Sequence, residues 1–75
     1  MDSLLDAIFT DDINLVEFLC QRGIGQHPTV YNQAIQHQNL DIIKLLDMYD
    51  YPKDESFLGI AIKTDNVEII DYFYQ

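Results

Sequence analysis

The chain has 75 residues, 48% of them hydrophobic, with 13 acidic against 4 basic side chains and a net charge of −9. That length allows one domain with a small core, spanning residues 1–75, and the lone Cys20 leaves no internal disulfide to reinforce it. So acidic a surface repels phosphates, which argues against nucleic acid or an anionic membrane as a direct partner and favours either a protein with a basic surface or a merely solubilising role for the charge.

The N-terminal run Met1-Asp2-Ser3-Leu4-Leu5-Asp6 lacks the basic start of a secretory signal. No stretch nears the ~18 apolar residues of a membrane span. A single thiol suits a reducing compartment. The expected location is the cytoplasm, or the host cytoplasm for a viral protein.

In chain order, a first short helix is expected over Ser3–Phe9 with Asp2 as its N-cap. Thr10-Asp11-Asp12 turns the chain into a second helix, Ile13–Gln21, with Gly23 beyond it as a left-handed cap. Thr29 caps a third helix at Val30–His37, with Pro28 barring backward extension. Gln38-Asn39 leads into Leu40–Tyr49, and Pro52 stops that helix from continuing. Ser56 caps Phe57–Lys63, and Thr64-Asp65-Asn66 precedes Val67–Tyr74. The second helix of each pair carries a wide apolar stripe at helical spacing. The fold class expected is all-α, with six short helices.

These elements repeat. Leu4-Leu5-Asp6-Ala7-Ile8 aligns with Tyr31-Asn32-Gln33-Ala34-Ile35 and Leu58-Gly59-Ile60-Ala61-Ile62, so the alanines at 7, 34 and 61 stand 27 residues apart. In the same register Ile13-Asn14-Leu15-Val16-Glu17-Phe18-Leu19 matches Leu40-Asp41-Ile42-Ile43-Lys44-Leu45-Leu46 and Val67-Glu68-Ile69-Ile70-Asp71-Tyr72-Phe73. Three helix–turn–helix units follow, at about 2–28, 29–55 and 56–75. Tyr31, Phe57, Phe18 and Phe73 hold positions occupied elsewhere by Leu or Val and are expected in the core, whereas Phe9 aligns with Gln36 and Lys63 and is expected on the surface.

Thr29-Val30-Tyr31-Asn32-Gln33-Ala34, together with Asn39-Leu40-Asp41-Ile42-Ile43-Lys44-Leu45-Leu46, resembles the paired helices of the ankyrin repeat family. Leu15-Val16-Glu17-Phe18-Leu19-Cys20-Gln21-Arg22-Gly23 is similar to that family's second helix running into its terminal glycine. A standard unit is ~33 residues long. The shortfall here lies in the inter-repeat loop, where the family builds its β-hairpin finger. The proline of the family's first motif is missing from every copy, and its histidine position holds Leu5, Asn32 and Gly59. The resemblance implies a fingerless ankyrin-like solenoid.

It also implies a shallow recognition groove along the outward positions of the first helices: Asp6, Phe9, Thr10, Gln33, Gln36, His37, Ile60, Lys63 and Thr64. Loops carrying Gln26, His27, Tyr51, Lys53 and Asp54 would flank it. At the C-terminal end, Tyr72 and Tyr74 combine an apolar body with a polar tip, which suits contact with a partner or with a second copy in a homodimer.

Catalytic chemistry finds little footing. His27 and His37 stand ten residues apart on different elements, and with Cys20 the only cysteine and no paired spacing, no metal site is expected. Cys20 reads as a semi-buried thiol rather than a nucleophile. Asp11-Asp12 lacks a calcium-loop pattern, and Gly23-Ile24-Gly25 lacks the Lys-Ser/Thr and the preceding strand of a phosphate cradle. No cofactor is expected. The leading reading is a non-enzymatic protein–protein interaction module, a small inhibitor or adaptor for a host or cellular protein. The alternatives are an acidic nucleic-acid mimic and a homo-oligomeric structural module.

Overall fold

A computed structural model describes residues 4–75 as six α-helices. They are α1 (Leu4–Phe9), α2 (Ile13–Gln21), α3 (Pro28–His37), α4 (Leu40–Met48), α5 (Phe57–Lys63) and α6 (Val67–Phe73). The expected cap at Asp2 and the helix start at Ser3 lie outside the described residues. Each consecutive pair is a hairpin. The first helices form a row, α1 beside α3 beside α5, and α2 packs against α4. The molecule measures 31 × 21 × 19 Å.

The backbone repeats as the sequence does. Asp11, Gln38 and Asp65 all take a left-handed φ of 57–63° at the turn within each hairpin. The next residue then caps the second helix: Asp12 accepts from the Leu15 N–H, Asn39 from Ile42 N–H, and Asn66 from the N–H groups of Glu68 and Ile69. Short polar side chains suit both places, because Asp bears positive φ better than most at 11 and 65 and Asp or Asn satisfies orphan donors of the first turn. Gln38 takes the same φ without that short side chain.

The far ends of α2 and α4 match too. Gly23 and Asp50 adopt φ of 68° and 57°. Around them the N–H of Gly23 reaches Cys20 O and that of Ile24 reaches Leu19 O, while Asp50 N–H reaches Asp47 O and Tyr51 N–H reaches Leu46 O. Both ends are Schellman caps, with a left-handed residue closing two carbonyls of the last turn.

Ala7, Ala34 and Ala61 are all buried, as the register requires. The small side chain lets neighbouring first helices approach. Around them Leu4, Ile8, Val16, Leu19, Val30, Tyr31, Ile35, Ile42, Ile43, Leu46 and Ile69 form one continuous core. Burying an aliphatic side chain of this size stabilises by roughly 1.5–3 kcal/mol. Cys20 lies within that core, and the loss of solvent pushes its thiol pKa up.

Several expectations need correcting. Helix α3 starts at Pro28, so Thr29 sits inside its first turn and is not the cap; His27, extended at φ −126° and ψ 143°, precedes it without a side-chain bond. Proline lacks the N–H that would be orphaned at the first helical position, so it begins the helix. Ser56 precedes α5 but its side chain accepts no cap bond from it; instead its N–H and hydroxyl both donate to Asp54 Oδ1. Asp54 also accepts from Asn32 Nδ2 at 2.9 Å, and these bonds hold its carboxyl below the usual range. Phe18 is 48% exposed, because no described helix packs over that flank of α2. The Arg22 guanidinium lies over its ring, 4.6 Å from the centroid. The second helices end one residue earlier than expected at Met48 and Phe73.

Candidate protein-binding face

The outward positions of the first helices align in three columns, each spaced by one repeat: Asp6, Gln33 and Ile60; Phe9, Gln36 and Lys63; Thr10, His37 and Thr64. Because α1, α3 and α5 lie side by side, the columns run across three adjacent helices. The turn-facing half of each helix carries them, while Ala7, Ala34 and Ala61 point into the core.

Two local arrangements shape this face. Between α3 and α5 a groove of about 370 Å³ is lined by Gln36, Gln38, Ile60, Lys63 and Thr64. Four of these, Gln36, Ile60, Lys63 and Thr64, are among the residues expected from the register. Between α1 and α3 the Phe9 ring meets the His37 ring edge-on, with centroids 6.1 Å apart. Phe9 stays 51% exposed, as its polar counterparts predict. It is an apolar side chain held at a fixed angle on an otherwise polar row.

The polar edge of the face is fixed by inter-repeat bonds. Asn39 Nδ2 donates to Asp11 Oδ1 at 2.7 Å, and His37 Nε2 lies 3.1 Å from the same oxygen. The amide bond first, then the nearby imidazole, holds the Asp11 carboxyl below its ordinary range. One repeat further on, Asn66 Nδ2 donates to Gln38 Oε1 at 3.3 Å. Thr10 and Thr64 turn their hydroxyls back to the carbonyls of their own helices.

The expected tyrosines divide. Tyr51 does not flank the groove: it is buried, and its hydroxyl donates to the Ile24 carbonyl of the preceding repeat. As the residue after the left-handed Asp50 it folds back over the α2 cap, a place sequence spacing reveals once Ile24 is seen one repeat earlier. Tyr72 is half-buried and its hydroxyl is committed to Asp47. Tyr74 is exposed. Sequence reasoning missed Gln38 as part of the groove; its left-handed turn conformation projects it there.

Among the described residues, no group of three or more His, Cys, Asp or Glu side chains comes together in a metal-binding arrangement. No helix of the described residues is long and apolar enough to cross a membrane. Comparison of the chain with protein-family models, curated proteins and solved structures finds no match.

Proposed function

We propose that this chain is a short, fingerless ankyrin-like repeat protein that acts in the cytoplasm as a non-enzymatic binding module, an inhibitor or adaptor that recognises another protein through the first-helix face. The observation that supports this reading is the continuous row from Phe9 through Gln36 and His37 to Ile60 and Lys63, grooved between α3 and α5. A row of adaptable amides with one aromatic and one aliphatic anchor fits a protein surface. The net charge of −9 would draw a partner with a basic surface and speed its approach.

The face itself carries one carboxylate, Asp6, and one ammonium, Lys63. Phosphate mimicry therefore draws little from this row.

Immobilised protein, challenged with lysate of the cells in which it occurs, should retain a defined partner. Phe9→Ala and Gln36→Arg should each weaken that capture at least tenfold while leaving the helical circular dichroism signal intact. Equal capture by wild type and both variants would remove the face from consideration. Capture that disappears between low and physiological salt would favour the nucleic-acid mimic instead.

A further inference from the structure

The two ends of the repeat row are built differently. Ile8 and Ile35 are each 0% exposed, yet their counterpart Ile62 is 54% exposed. Val16 and Ile43 are fully buried, and their counterpart Ile70 is only half-buried. Cys20 is buried and Asp47 half-buried, while their counterpart Tyr74 is exposed. The third repeat thus carries the trailing surface of an interior repeat without the neighbour that covers it in the first two.

The polar ladder stops at the same place. Asp11 receives the Asn39 amide, and Gln38 receives the Asn66 amide. Asp65, next in that series and in the same left-handed conformation, receives no side-chain donor among the described residues. The opposite end is closed to such stacking. There Asp12 stands in place of Asn39 and Asn66, and so has no N–H to give. Arg22, in place of Tyr49, covers Phe18 with charge.

We infer that the trailing flank of the third repeat, around Ile62, Asp65, Ile70 and Tyr74, docks a helical hairpin of another polypeptide whose leading edge is neutral and carries an asparagine at the cap position. Three features select that occupant. The apolar flank continues the row in which α3 packs on α1 and α5 on α3. The exposed Asp65 carboxylate offers an acceptor where Asp11 and Gln38 each take an asparagine amide. A second wild-type copy, arriving by its leading edge, would set the Asp12 carboxylate against Asp65 and bring in the desolvation of Arg22. The inference rests on reading the chain as a stack of repeats, but not on the first-helix face.

An engineered copy supplies the probe. In the variant D12N/F18L/R22Y the leading edge takes the residues of the second repeat, Asn39, Leu45 and Tyr49. Asparagine preserves the cap of α2. By sedimentation equilibrium the wild type should remain at its monomer mass of 8.8 kDa. The variant's mass should rise with concentration beyond that of a dimer, because a head-to-tail contact does not close. Adding Ile62→Lys should return it to monomer.

The inference is overturned if the folded variant stays monomeric, or if its association survives Ile62→Lys. It is also overturned if wild type associates through Ile62, which would make the occupant a second copy. Should the triple variant fail to fold, Asp12→Asn alone carries the same test, with weaker association expected and the same loss on Ile62→Lys. Capture through Phe9 and Gln36 is unaffected by any of these outcomes, so failure here leaves the binding-face reading standing.

Discussion

Tyr72 donates its hydroxyl to Asp47 Oδ2 at 2.6 Å, tying the last helix to the middle repeat. The other oxygen of Asp47 accepts from the Tyr31 hydroxyl at 2.8 Å and pairs with Lys53 Nζ at 3.1 Å. Lys53 in turn lies over the rings of Tyr31 and Phe57, at 5.2 and 5.8 Å. Phe57 and Phe73 close the cluster edge-to-face, 5.2 Å apart. One carboxylate thus joins α3, α4, α6 and the loop after α4.

Asp47→Ala should therefore lower the unfolding free energy by about 2 kcal/mol, the scale of hydrogen bonds to a charged acceptor. Tyr72→Phe should cost about half as much. In urea titrations the double variant should lose less than the sum, because both changes remove the same bond. Strict additivity would show that Tyr72 and Asp47 do not interact in solution.

The same cluster makes stability sensitive to alkali. Lost solvation first, then the Asp47 carboxylate, pushes the Tyr72 phenol up to about 12, and Tyr31 is displaced in the same direction by the same causes. Tyr51 is raised chiefly by burial. A raised phenol pKa means the folded state holds its proton more tightly. The stabilisation is complete below about pH 10, the ordinary tyrosine value, and is lost as pH rises through the folded value. Thermal unfolding followed by circular dichroism should show a constant Tm up to about pH 10 and a fall between pH 10 and 12. A Tm flat to pH 12 would contradict the burial of these hydroxyls.

At the other extreme the inter-repeat ladder should report on acid. The Asp11 carboxyl, held low by Asn39 and then His37, stabilises the fold above its unfolded value near 3.8 and ceases to do so as pH falls through its lower folded value. Asn39→Asp keeps an acceptor for the Ile42 N–H but loses the amide donor and sets a second carboxylate against Asp11. That variant should be less stable than wild type at pH 7, and the gap should narrow as the pH is lowered towards 4. A gap independent of pH would place the two side chains apart.

Glycine substitutions should separate by conformation. Gly25 has φ +75°, and a Cβ there would lie 3.1 Å from Leu4 Cβ, so Gly25→Ala should cost more than 1 kcal/mol. Gly59 lies inside α5, and a Cβ there meets nothing within 4 Å. Gly59→Ala should stabilise by about 0.5–1 kcal/mol through helix propensity alone. Differential scanning calorimetry of the two variants should move Tm in opposite directions.

The periodicity of the sequence carried much of the architecture. Three hairpins, the buried Ala7, Ala34 and Ala61, the turns at Asp11, Gln38 and Asp65, and the exposure of Phe9 all follow from local chemistry repeated in register. Short polar side chains make turns and caps wherever they recur, and apolar stripes at helical spacing must find cover.

What that periodicity could not supply was the difference between equivalent positions. Phe18 and Ile62 occupy sites like those of Leu45 and Ile35, yet they are exposed because no described helix packs over their flanks. A place in a loop predicts a surface position for Tyr51, but the Schellman turn at Asp50 carries it over the preceding repeat and into the core. Tyr31 and Tyr72 meet at Asp47 across 16 and 25 residues of chain, a convergence that no local pattern encodes. Helix, turn and cap are determined within a few residues by backbone geometry, so the sequence alone determined them. Burial and charge pairing depend on which surfaces the stack brings together, so only the tertiary structure decided them.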